Sequence, residues 1–274
     1  MVAYLEHKDL ANETIDASRA QEIADGVARV RDRLVDAAHR AGRAPEEVAL
    51  LAATKTRDVG EIMAAIDAGI RVIGENRPQE VQIKAPGLAR LCAERGIALG
   101  ASGFEAAGNA DATPLPFHLI GQLQTNKINK ILPYVDVVES VDSPELAEHI
   151  GSRAVRDGRE VGVLLEVNES GEASKSGCEP DEALDYAYRI AATQGVHLLG
   201  LMTIGAHVDD EAVIRRGFAH LRGLRDTIAA SCEPGTAECR ELSMGMTGDM
   251  EFAVEEGSTI VRVGTGIFGV RAFI

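Results

Sequence analysis

Apolar positions along the chain change period in a repeating way. From Asp16 to Gly42, Ile23, Val27, Val30 and Leu34 recur at helical spacing on one face, and Gly42 supplies a stop. EVALLAATK (47–55) is then a short continuous apolar run, as expected of a strand covered on both faces. EIMAAIDAG returns to helical spacing, and Gly69 closes it. The couplet repeats. Strand-like runs follow at RVIGEN (71–76), FHLIG (117–121), VDVVESV (135–141), VGVLLEVN (161–168), HLLGLMTIG (197–205), ELSMG (241–245) and TIVRVG (259–264). Helix-like stretches lie between them, among them TNKINKILPY, SPELAEHIGSRAVRDG, EPDEALDYAYRIAATQG and the long segment from Asp210 to Ser231.

Eight strands alternating with helices predict a parallel sheet closed into a (β/α)8 TIM barrel over 47–271, with an extra N-terminal helix at 16–42. An open doubly wound sheet would carry a G-x-G-x-x-G turn after its first strand, and TRDVGE (56–61) is not one. Residues 1–274 are expected to form a single domain, because too little chain follows Gly264 to build a second. The 16–42 helix could be a dimer contact or a cover for the barrel bottom, and the cover is the favoured reading. GASGFEAAGNADATPLP (100–116) has no periodicity and is rich in Gly, Ala and Pro, so a flexible surface loop is expected there.

Composition narrows the function classes. Of 274 residues, 45% are hydrophobic and 26% charged, an ordinary globular balance. Lys and Arg number 28 against 43 Asp and Glu, a formal charge of -15. That surplus argues against a partner held by its nucleic-acid backbone, which draws on clustered cations. A small phosphate ligand needs only a few local donors and stays open. Trp is absent and aromatics reach 4%, so stacking platforms are poorly supplied. Cys92, Cys178, Cys232 and Cys239 form no C-x-x-C pair, which reads as reduced thiols in a cytoplasmic protein. No apolar run approaches the ~18 residues of a membrane span, and the first twenty residues hold no signal-peptide core.

In a (β/α)8 barrel, chemistry sits at the C-terminal ends of the strands. The first strand ends in Thr54-Lys55 and the second in Glu75-Asn76. The fifth ends in Asn168, the sixth in Met202-Thr203 and the seventh in Ser243-Met244-Gly245. Lys55 is either a lysine snorkelling to water or an amine whose desolvation favours the free base that attacks a carbonyl. Gly264-Thr265-Gly266 follows the eighth strand, where backbone N–H groups can cradle an anion, and Ser243 with Gly245 would sit beside that turn. Arg262 shares the barrel-interior face with Gly264 by period-two alternation. A buried guanidinium cannot shed its charge, so it pairs with Glu75 or Glu139, or with a ligand's ring nitrogen or oxygen. His118 reads as a core histidine before a base.

A lysine for a Schiff base, a phosphate cradle and a fixed cation converge on pyridoxal 5′-phosphate (PLP). The segments ATKTRDVGEIMAAIDAGIRVIGENRPQE, FHLIGQLQTNKINKIL, VNESGEASKSG, GLMTIGAH and LSMGMTGDMEFAVEEGSTIVRVGTGIFGVR resemble the pyridoxal phosphate homeostasis protein family (YggS-like), itself similar to the barrel domain of alanine racemase. The resemblance spans residues 20–271. It implies that Lys55 carries PLP as an internal aldimine and that Arg262 lies against the pyridine nitrogen. It also implies that Ser243, Gly264 and Thr265 hold the phosphate, with Asn76 near the cofactor. A cation at that nitrogen leaves it unprotonated and the ring a weaker electron sink.

The resemblance further implies a monomer that holds PLP for intracellular homeostasis and delivers it to apo PLP-dependent enzymes. Pro78 stands where the family usually has an aliphatic residue, and 100–116 is longer than the family pattern. Racemase chemistry needs a second acid/base group, a tyrosine on an appended β-domain. Here the chain stops after its eighth strand, and Tyr4, Tyr134, Tyr186 and Tyr188 lie at the N-terminus or in predicted helices. Efficient racemisation is therefore not expected. A PLP-dependent racemase, a class I aldolase using Lys55 on a sugar phosphate, and a partner-binding scaffold are the alternatives.

Overall fold

A computed structural model describes residues 8–100, 112–171, 176–205, 208 and 210–270. Eight of the strands close into a parallel barrel. In chain order the barrel strands are β1 (Ala49–Ala53), β2 (Val72–Glu75), β5 (Phe117–Leu119), β6 (Val137–Val141), β7 (Val161–Glu166), β8 (Val196–Met202), β9 (Glu241–Ser243) and β10 (Ile260–Val263). β1 closes the ring by pairing with both β2 and β10, with Leu51 opposite Arg262. Each expected strand is present, shortened by a few residues at one or both ends.

β3 (Ile97–Leu99) and β4 (Thr113–Leu115) form a separate two-stranded parallel sheet. The expected 100–116 loop is corrected on this point, since its last residues pair as strand. Ala98 faces Pro114, and a proline is tolerated because so small a sheet is all edge. Residues 101–111 of that expectation lie outside the described residues.

The helices are α1 (Ala17–Arg40), α2 (Val59–Asp67), α3 (Pro78–Glu94), the short α4 (Ile128–Ile131), α5 (Pro144–Arg156), α6 (Ala183–Ala191), α7 (Glu211–Ala230), α8 (Met250–Glu255) and α9 (Thr265–Phe268). α1 does not cover the barrel bottom. It packs on the barrel wall against α2, α8 and α9, running from Arg19 beside Phe268 to Arg40 beside Glu255. It thereby fills the gap in the helical ring outside β10 and β1. The apolar stripe explains the position: Ile23, Val27, Val30 and Leu34 are all buried, each worth about 1.5–3 kcal/mol if fully removed from water. Gly26 allows the close approach, because a Cβ there would stand 2.2 Å from the carbonyl oxygen of Ile267.

Strand alternation divides the core. One large cluster fills the space between sheet and helices and includes Ala52, Ile73, Leu119, Val138, Val163, Leu242, Val261 and Val263. The alternate residues face the barrel interior as two small clusters, Leu51, Ala53, Ile120 and Ile260 on one side and Val137, Leu164 and Met202 on the other. Polar side chains separate these two clusters. No described helix is long and apolar enough to cross a membrane, and the four cysteines are free thiols. Burial pushes Cys92 up to about 11 and Cys178 and Cys239 up to about 12, so these three are unreactive packing groups.

Candidate functional site

Arg262 shares the interior face with Ile260, and its neighbours there are fixed by other strands. Its guanidinium donates from Nη1 to Ser243 Oγ at 2.5 Å and from Nη2 to the Thr203 carbonyl at 2.8 Å. The Ser243 hydroxyl in turn donates to Glu139 Oε2 at 2.5 Å, and Glu139 Oε1 lies 2.6 Å from His118 Nδ1. An ionised carboxylate only accepts, so His118 donates from that nitrogen. Burial pushes the Glu139 carboxyl up, but the His118 hydrogen bond and charge, the Arg262 charge and the Ser243 hydroxyl outweigh it and hold Glu139 below its ordinary value. Burial lowers the Arg262 guanidinium, against the pull of Glu139, Glu166 and Asp249. Glu166, at the end of β7, is pushed up to about 7, chiefly by burial.

Two expectations are settled by this network. Arg262 is partnered by Glu139, 3.9 Å away and bridged by Ser243, and not by Glu75. Glu75 follows Gly74, which points inward against Leu51 and Ile120, so alternation turns Glu75 outward to Lys84 at 2.6 Å. His118 is the satisfied core histidine that was expected.

Above this network, at the C-terminal mouth of the barrel, lies a cavity of about 440 Å³. Ala53, Ile120, Ile204 and Met246 form its apolar wall. Lys55, Asn76, Arg57 and Arg262 supply polar groups, and Thr247, Gly248, Gly264 and Thr265 close one end. Its size lies within the ~300–1,000 Å³ of small-molecule sites, and mostly apolar walls with a few convergent polar groups are their usual makeup. Lys55 is half-buried where the turn after β1 begins. Thr247 Oγ1 lies 3.1 Å from Thr265 Oγ1 and accepts from the Gly266 N–H at 3.2 Å, which joins the loops after β9 and β10.

Lys55, Asn76, Arg262, Gly264 and Thr265 thus come together as the sequence suggested. Ser243 and Gly245 do not line this cavity. Ser243 is fully buried and its hydroxyl is engaged on both sides by Glu139 and Arg262. Gly245 turns the chain at φ 94°, with no room for a Cβ beside Ala253. The strand-end rule pointed one turn too early. β9 stops at Ser243, and the residues that reach the mouth are Met246, Thr247 and Gly248, further along the SMGMTGD segment. Their signal was the position itself, in a loop after the seventh strand of such a barrel. Ile204 and Arg57 were also missed.

Known proteins share this sequence and this fold. The model for "Alanine racemase, N-terminal domain" matches residues 28–272. A pyridoxal phosphate homeostasis protein of Aquifex aeolicus is 36% identical over 90% of this chain and 97% of its own. A crystal structure of a protein from Bifidobacterium adolescentis is 67% identical, with a TM-score of 0.91 over 95% of this chain and 100% of that one. The structure of PipY from Synechococcus elongatus with PLP bound is 30% identical, with a TM-score of 0.69 over 90% of this chain and all of that one. The chain therefore belongs to the pyridoxal phosphate homeostasis protein family, within the alanine racemase N-terminal domain group.

Proposed function

We propose that this protein binds PLP in the barrel-mouth cavity, attached covalently through Lys55, and holds it for release to apo PLP-dependent enzymes. The convergence of Lys55, Arg262 and the Gly264-Thr265 turn in one cavity carries the reading. The donor set suits the three ends of the cofactor: an amine for an aldehyde, a guanidinium for a ring nitrogen, and paired hydroxyls with glycine N–H groups for a phosphate. Asn76 adds a buried Oδ1 with no hydrogen-bond partner among the described residues, a polar atom left for a ligand to satisfy. Bound here, PLP would supply an aldehyde carbon and an electron-withdrawing ring.

Thr247, Gly248, Gly264 and Thr265 would hold the phosphate, in place of the Ser243 expected from sequence. Arg262 presents fixed N–H donors and keeps its own proton, so it leaves the ring nitrogen unprotonated. That choice disfavours transaminase-like chemistry and tolerates either racemisation or simple retention of the cofactor. The described tyrosines favour retention. Tyr134 precedes β6, at the opposite end of the barrel from the cavity, and Tyr186 and Tyr188 lie on α6. Tyr4 lies outside the described residues. Action as a single chain in the cytoplasm belongs to the same reading.

The deciding experiment is PLP titration of the wild type and Lys55→Ala, followed by borohydride reduction and peptide mapping. The wild type should develop the visible absorbance of a lysine-linked cofactor, with the reduced label on Lys55. Unchanged absorbance in Lys55→Ala would overturn the assignment. Substantial D-isomer from L-amino acids incubated with the loaded protein would favour a racemase instead.

A further inference from the structure

Behind the cavity, on the outer face of the sheet, sits an ammonium that the cofactor reading does not use. Lys84 on α3 is fully buried, one of the largest described side chains to be so. Its Nζ donates to Glu75 Oε2 at 2.6 Å, to Glu80 Oε2 at 2.7 Å and to the Thr54 carbonyl at 3.0 Å. The same two carboxylates reach the turn that carries Lys55. Glu80 Oε2 accepts from the Thr56 N–H at 2.8 Å, and Glu75 Oε2 accepts from the Thr54 hydroxyl at 2.9 Å. Glu75 Oε1 accepts from the Asn76 N–H at 2.8 Å. Residues 54 and 56, on either side of Lys55, and Asn76 across the cavity are therefore all tied to one buried cluster.

Thr56 has φ 65°, a left-handed conformation that a β-branched residue avoids and that must be held by its surroundings. Such a turn would relax without the Glu80 acceptor, and Lys55 would move with it. A buried ion cluster is weak evidence for stability, since apolar packing serves as well, so its presence at this turn calls for another account.

We infer that Lys84, Glu75 and Glu80 are positioning residues for Lys55: they set the backbone of the turn so that the amine faces the aldehyde. The inference rests on the proposed attachment at Lys55, in which Nζ bonds to the aldehyde carbon and one water leaves. A misplacement of about 1 Å can cost on the order of a hundredfold in such a step, so a partial release of the turn should slow it by roughly tenfold.

The test compares Glu80→Ala, Glu80→Gln and Lys84→Met with the wild type. It measures the rate of PLP attachment, the pH midpoint of the bound chromophore, and Tm. Ile150→Ala, which opens the core on the far wall of the barrel, serves as a control for lost stability. Glu80→Ala should attach PLP about tenfold more slowly with a displaced pH midpoint. Glu80→Gln, which still accepts from Thr56, should stay near the wild type, and the control should lose Tm alone. If Lys84→Met does not fold, the two Glu80 variants still decide the matter. Wild-type attachment by Glu80→Ala, or equal slowing in Ile150→Ala, would overturn the inference. A wild type with no Lys55-dependent chromophore would instead remove the proposed function itself.

Discussion

Glu166 offers a quantitative test of the barrel interior. It ends β7, is 3% exposed, and its carboxyl is pushed from 4.5 up to about 7. Burial is the largest cause, Asp142 adds to it, and the Arg262 charge opposes it. Between 4.5 and about 7 the folded protein keeps a proton that the unfolded chain has lost. Stability from this group is therefore complete below the unfolded value and falls as pH rises through that window. At about 1.36 kcal/mol per tenfold change, the full loss is about 3 kcal/mol. Glu166→Gln keeps the shape and removes the titration. Urea or thermal unfolding of the cofactor-free proteins should give nearly equal stabilities near pH 4.5, with the variant ahead by about 3 kcal/mol, or about 5 °C, at pH 8. Other groups titrate alike in both proteins and cancel in the difference. A difference that stays flat with pH would mean an ordinary carboxylate. A variant less stable at pH 8 would mean that Arg262 requires the negative charge.

Thr247→Val removes a hydroxyl from the cavity end and should weaken PLP binding by about tenfold, leaving pyridoxal, which has no phosphate, unaffected in a titration. Ser243→Ala should instead cost about 1–3 kcal/mol of stability, by stranding Glu139 and Arg262, with the preference for PLP over pyridoxal unchanged. The reverse pattern would restore Ser243 as the phosphate ligand. Gly26→Ala should force α1 away from the Ile267 carbonyl, at about 1–3 kcal/mol in unfolding experiments, and loosen PLP because α9 begins at Thr265. A variant that matches the wild type in both Tm and affinity would show that α1 and α9 do not press together at this point.

Much of the site was legible because two periodicities do most of the work. A residue's place after an apolar run marks it as a mouth residue, and this found Lys55, Asn76, Gly264 and Thr265. Alternation along β10 put Arg262 inside the barrel. Ser243 falls outside the cavity lining because the same alternation, carried across to β9, buries it beside Arg262. Its hydroxyl meets the Arg262 guanidinium without reaching the mouth.

The linear order of runs and helices was enough to require eight parallel strands, a closed ring and a C-terminal face where chemistry collects. Those features depend on local period and chain connectivity, which each segment carries by itself. Partner choice inside the barrel was different in kind. That Arg262 answers to Glu139 and Ser243, that Glu75 turns out to Lys84, and that α1 takes the empty place in the outer ring all depend on residues from distant parts of the chain meeting at fixed angles. Buried charges find whichever counter-charge the closed ring brings within reach, and only the folded barrel sets those distances.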